Sequence, residues 1–276
     1  MFGRRADATP VRNLNALRRI MPFTSPRRND SLFYMRQKIE VEAALEFLEK
    51  KNQERPDDRP ITLFHLFLRS TARAITLRPG VNRFVKSGTL WQRDGVWLTF
   101  SAKIKIEDGS PMITVKRRFD AETESLEEMV DAIYDKLAFG RSGKKTTSDK
   151  EVSLLLRLPS IVIKIALAFA QLGDKWGLLP RGMIEADPLF SSVFLANLGS
   201  IDYPAGYHHL WEYGTTSIFG VMGRIEPGRN GRKKMDVCWS YDERIEDGLY
   251  SYHSLEMIRG GIENPDTLIA PVELPQ

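Results

Sequence analysis

The side chains most able to do chemistry lie in two short stretches. The first is Asp242-Glu243-Arg244-Ile245-Glu246-Asp247-Gly248, where carboxylates and a guanidinium crowd one turn. A carboxylate there can take a proton, pair with a cation or cap a helix. The second is Tyr207-His208-His209. An imidazole titrates near neutrality, which suits it to accept a proton from a thiol. Other reactive groups read as structural. His65 sits inside a helical pattern and is expected to be packed or capped. Cys238 is the single cysteine and reads as a small apolar strand residue. One cysteine excludes an internal disulfide framework and a cysteine-based zinc site, and no metal is expected. Gly140-Arg141-Ser142-Gly143-Lys144-Lys145 lacks the phosphate-loop spacing and follows no strand.

The elements that must position these groups follow from periodicity. Val237, Trp239 and Tyr241 alternate with Asp236, Cys238 and Ser240, which predicts a strand leading into the charged turn. Gly248 frees the backbone after it. Leu249, Tyr252, Leu255, Ile258 and Ile262 recur at helical spacing and predict one buried face, with Asp247 at the N-cap. Upstream, the pattern predicts a strand over 32–41, a helix over 42–51 and a helix over 62–77 stopped by Pro79-Gly80. Strands are expected over 90–105 and 111–119, with turns at Asp94-Gly95 and Glu107-Asp108-Gly109. A helix over 125–137 points Leu126, Met129, Val130, Ile133 and Leu137 inward, and strands follow over 191–199 and 215–222. His208 and His209 are read as strand neighbours, so at most one faces any channel.

Several of these stretches together resemble the acyltransferase catalytic core of the 2-oxoacid dehydrogenase complexes, and its fold relative chloramphenicol acetyltransferase. The turn at Asp242, Arg244, Asp247 and Gly248 is similar to that family's D-H-R-x-x-D-G signature. The helix ending in Pro79, followed by Val81-Asn82, resembles the family's second helix. Asn197-Leu198-Gly199 resembles its S-N-L-G strand end, and Glu263-Asn264-Pro265 with Leu268 its E-N-P-x-x-L ending. The resemblance spans about residues 30–147 and 190–269. It implies an α/β two-layer sandwich of the chloramphenicol acetyltransferase-like class, a mixed sheet with helices on one face. It also implies a coenzyme A thioester as co-substrate and a homotrimer in which one subunit's motif loop faces the next subunit's channel strands. No lipoyl or subunit-binding domain is expected, and no covalent lipoyl group.

Glu243 stands where the family has its catalytic histidine, and Ala196 where it commonly has an oxyanion-stabilising serine. Moving an acyl group to a thiol needs a base, because a thiol titrates near about 8.5. A glutamate is roughly two pKa units less basic than a histidine, a handicap of about 3 kcal/mol. Burial can raise it, so Glu243 stays a candidate base, with salt bridging as the other reading. One of His208 and His209 is the candidate replacement. Losing an oxyanion donor costs roughly 100- to 1,000-fold in rate. Asn197 reads either as a turn residue or as a polar liner of the acyl site. Arg244 is grouped with Ala196 and Asn197 at the substrate-binding positions, and Asp247 orients the base loop. The function expected is acyl transfer from a coenzyme A thioester to an unknown acceptor through a modified site. The alternative is a catalytically silenced trimeric scaffold or partner subunit with the same fold.

The chain of 276 residues is 42% hydrophobic and 28% charged, a soluble globular composition. A net charge of +4 permits a phosphorylated co-substrate without implying nucleic acid. Met1 to Asp30 has no apolar centre, so no leader is expected and the cytoplasm is the default compartment. Residues 1–30 form a basic arm, with seven arginines against Asp7 and Asp30. Its readings are packing on its own domain or a neighbouring subunit, or a surface anchor for anionic lipid. The domain then runs over 31–270, followed by a tail over 271–276. Residues 148–190 are a strongly apolar helical insertion whose run is too short to span a bilayer, which needs about 20 residues. Leu154, Leu155, Ile161, Ile165, Leu167 and Phe169 are expected to be buried there, with a membrane-surface role as the competitor.

Overall fold

The computed structural model describes residues 4–103, 107, 109–110, 112–141, 157–228, 231–270 and 272. A six-stranded sheet runs in the order β2 (Leu32–Glu40), β9 (Lys233–Asp242), β8 (Ile218–Pro227), β7 (Val193–Asn197), β5 (Val96–Lys103), β6 (Met112–Phe119). It is mixed: β7 lies parallel to β5 and β8, and the other pairs are antiparallel. Helices α2 (Glu42–Asn52), α3 (Leu63–Leu77), α4 (Leu126–Arg141) and α7 (Gly248–Glu263) share one core with the sheet, where Trp239 of β9 meets Phe67 of α3 at 5.6 Å. This is the expected two-layer sandwich.

The N-terminal arm is woven into the fold. β1 (Ala8–Pro10) pairs with β4 (Thr89–Arg93), which pairs with β3 (Arg83–Lys86) in a separate three-stranded sheet. Gly95, at φ +72°, turns the chain out of β4 and into β5 of the large sheet, a conformation that glycine adopts at no steric cost. The described part of the run expected over 90–105, residues 90–103, therefore serves two sheets. α1 (Ala16–Thr24) follows β1 and is capped by Asn15, whose side chain accepts the Arg18 N–H.

Two expectations about packing fail. In α7, Leu255, Ile258 and Ile262 are buried as predicted, but Leu249 is 67% exposed and Tyr252 46%. Ser251, Ser254 and Gly261 are buried in their place. α7 lies close against α3: the Ser70 hydroxyl donates to the Ile258 carbonyl at 2.8 Å, and a Cβ at Gly261 would sit 2.3 Å from Ser70 Oγ. Small residues, not large ones, permit that approach. The second failure is the insertion. Residues 160–175 do form a helix, α5 (Ser160–Lys175), followed by the short α6 (Arg181–Ala186). Yet Ile161, Ile165, Leu167 and Phe169 are 61%, 49%, 41% and 69% exposed, so the apolar density of α5 is not buried as expected. Leu154 and Leu155 lie outside the described residues.

Candidate active site

The charged turn is held by its own side chains. Asp242 ends β9 fully buried, and Arg244 clamps it through two nitrogens, Nε to Oδ1 and Nη2 to Oδ2, each at 2.8 Å. Arg244 Nη1 also donates to the carbonyls of Ser25 and Pro26 at 2.9 and 3.0 Å. Every guanidinium nitrogen of Arg244 is thus engaged inside the fold. Arg28 approaches Asp242 at 3.8 Å, and burial lowers its pKa against the pull of Asp242 and Glu212. Asp247 accepts the Tyr250 N–H at 2.8 Å, as an N-cap should. Glu246 pairs with Arg83. Glu243 is exposed; its amide donates to the Ser31 carbonyl at 3.0 Å, and its own carbonyl accepts Arg18 at 2.8 Å.

The histidine stretch lies on the other face of the sheet. Residues 203–211 form no strand but an irregular run across β7 and β8. It is tied down by Asn29, whose side chain donates to the Leu210 carbonyl at 2.6 Å and accepts its N–H at 3.0 Å. Glu212 accepts the backbone N–H groups of Arg28 and Asn29 at 3.2 and 3.0 Å. Burial opposes the Glu212 charge, but those hydrogen bonds outweigh it and hold the carboxyl below its ordinary pKa. The stretch 25–31 therefore links the charged turn to the histidine run.

His208 and His209 are not alternating strand residues, a correction to the sequence reading. Their rings stack at 4.4 Å with 23° between planes, so both lie on one side. His208 also stacks on Phe219 at 4.2 Å, with Trp211 at 5.2 Å, while Phe219 stacks on Phe194. His208 is half-buried and His209 exposed. His208 Nδ1 lies 2.7 Å from the His209 carbonyl oxygen. A carbonyl only accepts, so Nδ1 carries a proton, and in the neutral ring the lone pair is then on Nε2. That arrangement leaves Nε2 competent as a base.

Ala196 joins the same apolar cluster, which holds Phe194, Phe219, Val221 and Trp211. Asn197 accepts the Ser200 N–H at 3.1 Å and serves the turn after β7. Ala196 is level with Val221, and Val221 with Cys238. Glu243 lies five residues beyond Cys238, about 17 Å along the strand, and two strands across, about 10 Å more. His208 stacks over Phe219, level with Phe194 and Ser240 and so nearer the end of the sheet where β9 stops at Asp242, while Ala196 and Asn197 lie toward the other end of β7.

His65 is buried and caps its own helix: its Nδ1 accepts the Thr62 N–H at 3.1 Å. Burial and the nearby Arg55 push its pKa down to about 4. Cys238 is buried, which raises its thiol pKa. Sequence reasoning missed Ser240. Its neighbour Trp239 faces the helices, so Ser240 faces the histidine side, beside Phe219, fully buried with a hydroxyl that makes no hydrogen bond among the described residues. A cleft of about 320 Å³ opens elsewhere, lined by Thr76, Asn82, Gln92, Arg118 and Glu122 among others, and by none of the predicted site residues.

No protein-family model matches this sequence, and no curated protein matches it. Solved structures share its architecture at low identity. The truncated catalytic core of the 2-oxoacid dehydrogenase multienzyme complex from Thermoplasma acidophilum is 17% identical, with a TM-score of 0.59, covering 93% of this chain and 99% of that one. The dihydrolipoamide acetyltransferase of Azotobacter vinelandii is 12% identical, with a TM-score of 0.60 and 94% of each chain covered. Chloramphenicol acetyltransferase is 14% identical, with a TM-score of 0.52 over 95% of this chain and 99% of that one. The chain thus has the fold shared by chloramphenicol acetyltransferase and the acyltransferase catalytic cores of the 2-oxoacid dehydrogenase complexes.

Proposed function

We propose that this protein transfers an acyl group from a coenzyme A thioester to an acceptor through a modified site, with His208 as the base. The observation that carries the reading is the His208 Nδ1 contact with the His209 carbonyl, which selects the tautomer whose Nε2 can accept a proton, beside the apolar cluster of Ala196. Nε2 takes the acceptor's proton as its sulfur or oxygen attacks the thioester carbon, then returns it to the departing coenzyme A thiolate. The stacked ring of Phe219 and the tilted ring of Trp211 hold the imidazole and keep water from one side. Ala196 supplies no side-chain donor to the oxyanion, so slow turnover is expected.

A homotrimer belongs to this reading. Ala196 and Glu243, which the family resemblance pairs, stand far apart in one chain, so a site using both needs a neighbouring copy. A second reading, a silenced scaffold, is favoured by the charged turn, where Asp242, Arg244, Asp247 and Glu246 are all spent on structure. One experiment separates them: thioester hydrolysis and acyl transfer from acetyl-coenzyme A by the intact protein, His208→Gln and Glu243→Gln. We expect His208→Gln to lose about 100-fold or more and Glu243→Gln to stay near the parent. Loss in Glu243→Gln alone makes the glutamate the base. No activity in the parent leaves the scaffold. Light scattering on the eluting protein tests the trimer, and a clean monomer would sink it.

A further inference from the structure

Helix α5 carries an apolar stripe that is exposed. Ile161, Val162, Ile165, Phe169 and Leu172, continued by Trp176 at its end, recur at steps of three and four. At about 100° per residue they share a face roughly 100° wide. All six are exposed, Phe169 at 69% and Ile161 at 61%. The polar residues Lys164, Gln171 and Lys175 lie together on one flank of that stripe, and both lysines are exposed.

Among the described residues, the ion pairs and hydrogen bonds that tie the helix to the body lie near its C-terminus. Asp174 is 2% exposed and pairs with Arg5 at 2.6 Å and Lys86 at 2.5 Å. The Ser87 hydroxyl donates to the Lys175 carbonyl at 3.0 Å. Asp174 is the sole acid between Arg157 and Arg181, and it is neutralised inside the protein; Arg157, Lys164, Lys175 and Arg181 face outward. The β3–β4 turn that holds α5 also meets α1: a Cβ at Gly88 would lie 3.0 Å from the Phe23 ring. α1 exposes Leu17, Ile20 and Phe23 at 68%, 53% and 68%, with Arg19 beside them. Two helices thus present apolar residues and cations from neighbouring parts of one side.

We propose that α5, assisted by α1, docks this protein on an anionic lipid surface, with the helix lying in the plane of the interface. α5 is about 24 Å long, short of the roughly 30 Å hydrocarbon core, and no described helix is long and apolar enough to cross a membrane. An apolar face bearing Phe, Leu and Trp, with basic residues on the polar flank, is the form of helix that settles into the headgroup boundary. The lysine stems reach past the stripe and place their charges among lipid phosphates. A second copy of the chain fits worse, because stripe against stripe brings lysine flanks together with no exposed acid on the helix to offset them.

The test uses the full chain and vesicles of phosphatidylcholine alone or mixed equally with phosphatidylglycerol, read by flotation. The protein is expected to float with the mixed vesicles, less so as salt is raised, and with a blue shift of tryptophan emission. Lys164→Gln with Lys175→Gln should weaken binding about 30-fold, since each basic residue near an anionic surface contributes about fivefold. Ile165→Glu with Phe169→Glu should abolish it; both positions face solvent, and an unchanged melting temperature verifies the fold. The proposal fails if the parent stays with the lipid-free fraction at low salt, or floats equally with neutral vesicles. It also fails if the glutamate variant floats like the parent. If the parent does not float and the glutamate variant lowers the mass seen by light scattering, the stripe is an interface between copies.

Discussion

The charged turn over 242–248 and the histidine run over 203–211 differ in a way that separates signature from chemistry. The turn has the recognisable spacing, and the fold uses its side chains for support: a buried ion pair, a clamp on the N-terminal arm, a helix cap. The histidine run has no regular structure and no spacing that sequence periodicity reads. Tertiary contacts nonetheless give it an oriented imidazole over an apolar floor. The fold can need such a turn for support, while the base proposed above lies on a neighbouring segment.

The largest effect that would break this comparison is expected at Asp242. Removing one partner of a buried pair leaves the other charge uncompensated, typically at about 3–5 kcal/mol. Asp242→Ala should therefore lower unfolding stability by that order in a denaturant titration, and it should loosen the histidine run through Arg28. A variant of parent stability would mean that the turn is not a structural clamp.

A pH series sharpens the contrast between the two kinds of histidine. Burial holds the His65 pKa at about 4, against about 6.5 in the unfolded chain. The folded-state value is depressed, so the unfolded chain binds the proton first. The stability gained from neutral His65 is present above pH 6.5 and is lost as pH falls toward 4. The loss is about 3 kcal/mol at most. His65→Gln keeps a side chain that can complete the capping box with Thr62 and should flatten the melting temperature over that range. The activity profile set by His208 should be unchanged in His65→Gln.

Smaller effects test the turn's end and the floor of the histidine run. Asp247→Ala removes an N-cap and should cost about 1 kcal/mol in the same titration, with acyl transfer nearly intact. A far larger loss of activity than of stability would return Asp247 to the site. Ser240→Ala removes a buried hydroxyl that has no partner among the described residues, so stability should hold or rise by a few tenths to about 1 kcal/mol. A clear destabilisation would show that the hydroxyl has a partner beneath His208.

The amino-acid sequence by itself determined the elements whose signals are local. The alternation from Val237 to Tyr241, the cap at Asp247, the helix opening at Thr62, and the inward row Leu126, Met129, Val130 and Ile133 all read correctly, because periodicity and caps depend on nearest neighbours along the chain. Together with the family resemblance they led to the sandwich. What faces what was decided only in three dimensions. Gly95 sent half of one apolar run to a second sheet. Close packing of α3 on α7 put Ser251, Ser254 and Gly261 inside and Leu249 and Tyr252 outside. Stacking on Phe219 turned His208 and His209 to one side. α5 kept its apolar stripe in the open, because hydrophobic periodicity states that a face seeks a partner and says nothing of whether the partner lies within the same chain.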